Sequence, residues 1–240
     1  MYLENLITDA VEPQRLGRFW EAALGGEQLT DEYEGYETRL TVADGPVLDL
    51  GFQRVPQPPP SGSPRLHIDL LGGADQAATV DRLLGLGARH LDIGQGDVPW
   101  VVLADPGGNP FCVMEERSAY VDTGPIAALP LDSADPDRDA EFWSWLTGWT
   151  DVPGVAPRSL RHPSRRGFLL ELVPEQAPKG AAKNPLHLDV RLESGDDPDE
   201  ISAAIAARGG RELHLGFGEL PWRHYADPSG NEFCALPSRS

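Results

Sequence analysis

Two short segments carry the side chains best suited to chemistry. His67-Ile68-Asp69 and His187-Leu188-Asp189 repeat the same pattern 120 positions apart. Side chains alternate along an extended strand, so His67 and Asp69 share one face while Ile68 and Leu70 take the other. The second copy places Leu188 and Val190 opposite His187 and Asp189. An imidazole next to a carboxylate can move protons, hold an ion or form a structural hydrogen-bonded pair at a sheet rim. All three roles remain open for these pairs.

The two cysteines occupy matched positions, Cys112 and Cys234, within closing apolar segments. Alternation puts Cys112 and Met114 opposite Phe111 and Val113, and Cys234 and Leu236 opposite Phe233 and Ala235. No basic residue adjacent in sequence would lower either thiol's pKa, so both read as small buried hydrophobes. Trp100 and Trp222 suit a core or the flat wall of a pocket. Phe19, Trp20, Phe142 and Trp143 read as core.

These matches belong to a chain-long repeat. VPWVVLADPGGNPFC at 98–112 answers LPWRHYADPSGNEFC at 220–234, and Glu12-Pro13 with Phe19-Trp20 answers Asp135-Pro136 with Phe142-Trp143. Two homologous domains are expected, over 1–118 and 122–240, with a seam at 116–124. Each opens with a strand (3–7; 126–131), then a helix begun by an acidic residue and Pro and ended near Gly25 or Gly148. Strands ending at 47–55 and 168–173 follow. Proline-rich surface connectors (56–64; 174–185) precede a second strand, a helix near 75–84 or 198–208, and closing strands. The Asp-Pro-x-Gly-Asn segments read as hairpin turns, with Asn109 and Asn231 bonding locally. The expected fold class is α+β, with sheet faces shielded by helices.

Composition narrows the function. Among 240 residues, 38 acidic side chains face 20 basic ones, for a net charge of −18. Such a chain repels phosphates, so nucleic acid and anionic membranes are unfavourable partners. No apolar run reaches the roughly 20 residues of a membrane span, and the first 20 residues lack a secretory signal pattern. A cytoplasmic location is expected. Two cysteines make no disulfide scaffold.

The FW pairs after Glu/Asp-Pro, HID and HLD, and DPGGNPFC and DPSGNEFC together resemble the vicinal oxygen chelate superfamily, the glyoxalase/bleomycin-resistance/dioxygenase proteins. The resemblance covers nearly the whole chain, twice. It implies tandem glyoxalase-like domains, each of paired βαβββ modules whose sheets form an open, U-shaped cavity. Metal-dependent members hold a divalent ion there with His, Gln or Glu from four strands. Carried over, those positions are Asn5, Gln53, His67 and Cys112 in the first domain, and Ala128, Glu171, His187 and Cys234 in the second. The usual first-strand ligand is absent from both, and Cys replaces the closing glutamate. Hard divalent ions prefer oxygen and imidazole. No metal is therefore expected in the first domain, with Glu171, His187 and Cys234 a zinc alternative in the second.

The resulting expectation is a small-molecule-binding protein working without metal or other cofactor. Its ligand would lie against Gln53, His67, Trp100, Cys112, Glu171, His187, Trp222 and Cys234. The acidic balance favours a flat, cationic or aromatic ligand. The alternative is a metal-dependent lyase, isomerase or dioxygenase, with His67, Asp69, His187 and Asp189 as candidate catalytic residues. A homodimer is a further expectation.

Overall fold

The computed structural model describes residues 1–57, 64–215 and 220–239. Most of the first proline-rich connector, 58–63, lies outside the described residues. Four βαβββ modules follow one another along the chain. The first comprises β1 (Tyr2–Ala10), α1 (Pro13–Leu24), β2 (Glu27–Glu32), β3 (Gly35–Thr41) and β4 (Val47–Arg54). The second comprises β5 (Asp69–Leu71), α2 (Gln76–Leu86), β6 (Arg89–His90), β7 (Val101–Ala104) and β8 (Pro110–Met114). The third comprises β9 (Ile126–Ser133), α3 (Pro136–Thr147), β10 (Thr150–Val152), β11 (Arg158–Arg161) and β12 (Leu169–Pro174). The fourth comprises β13 (Leu186–Arg191), α4 (Pro198–Ala207), β14 (Arg211–Leu213), β15 (Arg223–Ala226) and β16 (Glu232–Leu236).

Helix boundaries follow local chemistry. Pro13, Pro136 and Pro198 occupy first-turn positions, where a missing N–H costs nothing. Asp135 and Asp197 accept backbone N–H bonds as caps, whereas Glu12, too long for that geometry, does not. Gly25, Gly87 and Gly148 end α1, α2 and α3 in the left-handed conformation.

Paired modules form two eight-stranded sheets, and each pair joins opposite halves of the chain. Sheet A runs β14-β15-β16-β13-β1-β4-β3-β2, uniting the first and fourth modules. Sheet B runs β10-β11-β12-β9-β5-β8-β7-β6, uniting the second and third. The central seam of sheet A is antiparallel, Leu6 opposite Leu188, and that of sheet B is a short β5–β9 contact. Sheet hydrogen bonding therefore crosses between the two repeats.

Helix packing holds each repeat together. Trp20 Nε1 donates to Asp105 Oδ2 at 3.2 Å, and Trp143 Nε1 donates to Asp227 Oδ2 at 3.1 Å. Each carboxylate also accepts the two backbone N–H groups of its own turn, so its burial is compensated. The paired recurrence of FW and Asp-Pro-x-Gly-Asn thus has a physical cause: the segments touch. Phe19, Trp20, Phe111, Phe142, Trp143 and Phe233 join one core that also takes the helix-facing residues of both sheets. Asn109 and Asn231 bond to Asp105 and Asp227 as expected, and Asn231 Oδ1 additionally accepts from the buried Arg65 at 2.7 Å.

Candidate functional site

The side chains facing away from the helices decide what each sheet can do. In sheet A the register aligns Asn5 with Asp189, Asp189 with Cys234, and Cys234 with His224. One step along, Ile7 stands opposite His187. The alternation inferred from sequence holds: His187, Asp189 and Cys234 share this face, while Leu188 and Val190 enter the core. One donor atom from each of the three lies within 4.8 Å of the others. His187 Nε2 is 3.4 Å from Asp189 Oδ1, and Asn5 Nδ2 donates to Asp189 Oδ2 at 3.2 Å.

Burial sets the charge state of this cluster. The His187 and Asp189 side chains are only 9% and 6% exposed. Desolvation, reinforced by the positive charges of Lys183 and His224, lowers His187 to about 3, so its imidazole is neutral. Desolvation raises Asp189 to about 7, against the opposing bonds from Asn5 and Cys234. The Cys234 thiol is pushed up by burial and by Asp189, which removes it as a free thiolate nucleophile. Among the described residues, His187 Nδ1 is buried without a hydrogen-bond partner, and Asp189 takes its bonds from Asn5 and Cys234.

A cavity of about 880 Å³ opens above this floor. Leu213, Leu215, Leu220, Pro221 and Trp222 form one side, and Glu32, Glu34 and Glu37 stand on the other. Lys183 reaches the rim and binds both carboxylate oxygens of Asp9 at 2.6 Å.

Sheet B carries the same row with different surroundings. Asp69 lies between Ala128 and Cys112, and His67 Nε2 is 3.3 Å from Asp69 Oδ1. Burial works against a charged His67, yet Asp69, with Asp132 and Glu171, outweighs it and raises the imidazole pKa. The segment at 115–123, read from sequence as a seam, folds onto this face. Tyr120 is 3% exposed and packs with Val102, Cys112, Met114, Ala128 and Leu169. Arg117 stands 5.6 Å from the Trp100 ring and 5.8 Å from that of Tyr120. The hollow that sheet A leaves open is therefore occupied in sheet B by the chain itself.

These placements regroup the residues expected from sequence. Gln53 shares the sheet A cavity with His187, Trp222 and Cys234, not with His67 and Cys112. Glu171 belongs to sheet B with His67, Asp69 and Cys112, so Glu171, His187 and Cys234 do not form a zinc set. Trp100 packs beside the filled hollow. Strand register also moves two positions. Ile7 pairs with Gly51 where the equivalent Pro130 pairs with Glu171, so Gly51, not Gln53, is the counterpart of Glu171. A Cβ on Gly51 would lie 2.6 Å from Ile7 Cδ1, which explains the glycine inside an apolar strand. That glycine was the available signal for the shift. Asp189 as a partner of Cys234, and Tyr120 as a filler, were not anticipated.

A model of the glyoxalase-like domain matches residues 5–114 and again 128–236. The chain belongs to the glyoxalase-like domain family. No curated protein matches its sequence. Among solved structures, glyoxalase I from Zea mays superposes with a TM-score of 0.65 at 15% identity, over 98% of this chain and 92% of the other. A Bacillus subtilis protein provisionally designated a dioxygenase gives 0.58 at 16% identity, over 100% and 86%. The cppA protein from Streptococcus pneumoniae gives 0.50 at 14%, over 99% and 98%. At such identities these likenesses concern the fold alone.

A four-strand site of oxygen and imidazole ligands does not fit this glyoxalase-like chain. The equivalent positions are Asn5, Gly51, His187 and Cys234 in sheet A, which offer no carboxylate. In sheet B they are Ala128, Glu171, His67 and Cys112, beneath Tyr120.

Proposed function

We propose that this protein binds one small organic molecule per chain, in the cavity of sheet A. The observation that carries the reading is the asymmetry between matched faces: about 880 Å³ is open over sheet A, while Tyr120 packs into the counterpart. That volume suits a drug-sized ligand. Trp222, Leu215 and Leu220 offer a flat apolar body its wall. Glu32, Glu34 and Glu37, all exposed on the β2–β3 hairpin, favour a positively charged group at the opposite end. The ligand class is accordingly a planar apolar cation, and the polar floor of Asn5, His187 and Asp189 orients it.

The test is calorimetric titration with planar aromatic cations alongside neutral and anionic molecules of the same shape. Saturable 1:1 binding of cations, weakened about tenfold or more by Trp222→Ala, is expected. Equal binding of anions, or no binding across the set, contradicts the reading.

A further inference from the structure

An arginine–carboxylate pair is complete in one repeat and lacks its acid in the other. In β3, Arg39 stands opposite Asp49 and donates to both its oxygens, from Nε and from Nη2, each at 2.7 Å. Asp49 lies beside Asn5 in β1, and Leu169 lies beside Ala128, the position matched to Asn5. Arg161 of β11 stands opposite Leu169. Arg161 is therefore the counterpart of Arg39, and Leu169 takes the place of its carboxylate.

Arg161 is positioned but not neutralised. Its Nε donates to the Gly167 carbonyl at 2.9 Å and its Nη2 to the Val121 carbonyl at 2.6 Å, which fixes the guanidinium. Nη1 has no hydrogen-bond partner, and the group has no ion pair, among the described residues. Burial lowers its pKa; Asp122 opposes that shift from a distance, and the like charges of Arg165 and Arg166 add to it. A bound anion offsets both the burial and the repulsion.

Space for that anion is present. A cavity of about 350 Å³ is lined by Arg161 and Arg165 together with Val121, Val152, Pro153 and Leu169, and by no carboxylate among the described residues. Its volume is at the low end for a ligand site, enough for a single ring or a short chain. Arg165 adopts φ +60°, a left-handed conformation that glycine or asparagine takes more readily. Such conformations recur where a side chain grips a ligand. We propose that Arg161 and Arg165 bind the carboxylate of a small organic acid, whose apolar body lies against Val152 and Leu169. Solution then supplies what Asp49 supplies to Arg39 from within the chain.

This site is separate from the sheet A cavity and does not rest on the cation reading. The full chain is titrated with benzoate, with neutral benzamide and inorganic phosphate alongside, and arginine Nε–Hε signals are followed by nitrogen-15 correlation spectra. Saturable shifts at Arg161 are expected, with a Kd below about 1 mM and at least about tenfold tighter than for benzamide. Arg161→Gln abolishes binding, and Arg165→Ala weakens it about tenfold. Leu169→Asp, which restores the pair that Arg39 makes, also weakens it about tenfold or more. Arg158→Ala, on the same strand but already paired with Asp137 and Asp151, changes nothing. Should Arg161→Gln or Leu169→Asp fail to fold, as circular dichroism would show, Arg165→Ala at an exposed position carries the test. No saturation by about 10 mM benzoate, equal binding of benzamide, tighter binding of phosphate, or shifts at Arg39 in place of Arg161 overturns the proposal. Loss of benzoate binding in Trp222→Ala would place the anion over sheet A and overturn it as well.

Discussion

Replacing Tyr120 with alanine separates the roles of the two sheets. The side chain is 3% exposed and belongs to the apolar cluster that includes Cys112, Ala128 and Leu169 on sheet B. Truncation loses about 2 kcal/mol of apolar transfer. It also leaves a void of roughly 100 Å³, which at about 24 cal/mol per Å³ adds about 2.4 kcal/mol if the site does not collapse. The expected loss is therefore about 3–5 kcal/mol, a large part of a typical domain's stability. Urea unfolding followed by tryptophan fluorescence measures it, with wild type and variant fitted to a shared slope. The open cavity lies on the other sheet, so ligand affinity there should change less than about threefold under native conditions. A destabilisation below about 1 kcal/mol would mean that Tyr120 does not fill the hollow, and the contrast between the two sheet faces would fail.

Other outcomes follow from the same geometry. Arg65 is buried with bonds to Asn231 and to the carbonyls of Asp132 and Ser229, and pairs with Glu175 at 2.7 Å, so Arg65→Ala should cost about 3–5 kcal/mol in denaturant unfolding. Trp143→Phe removes one charge-assisted bond to Asp227 and should cost at least about 1.5–3 kcal/mol, with Trp20→Phe acting alike through Asp105. The pH dependence of stability, measured in chelator, divides between two variants. His187 titrates near 3 folded against 6.5 unfolded, so its contribution is complete above pH 6.5 and is lost as pH falls toward 3. Asp189 titrates near 7 against 3.8, so its contribution is greatest below pH 3.8 and is lost as pH rises through 7. These slopes oppose each other between about pH 4 and 6.5, up to about 1.4 kcal/mol per unit each. Asp189→Asn should therefore make stability rise with pH across that window, and His187→Gln should make it fall; the same slope in both variants would contradict the assignment.

Much of the fold was legible because it depends on local rules. The helix starts at Pro13, Pro136 and Pro198, the glycine stops and the shared face of His187, Asp189 and Cys234 all follow from capping and strand alternation. Alternation reports a face, though, and never a neighbour. Nothing local to β1 says that it pairs with β13 instead of β5, since both present an apolar inner face and a His-x-Asp outer face. Gln53 and Glu171 were assigned to the wrong companions for that reason. The register shift at Gly51 depends on how Ile7 packs, a contact between strands 44 residues apart. Tyr120 was illegible because a short polar-flanked segment between repeats gives no periodic signal of burial.

Sheet pairing crosses from one repeat to the other, and that pairing decides which of the site residues meet. Nuclear Overhauser contacts across the strands, recorded on deuterated, amide-protonated protein, address it directly. Cross-strand contacts between β1 and β13, at Leu6 with Leu188 and Ile7 with His187, are predicted. Contacts of β1 with β5, around Asn5 and Asp69, would contradict it.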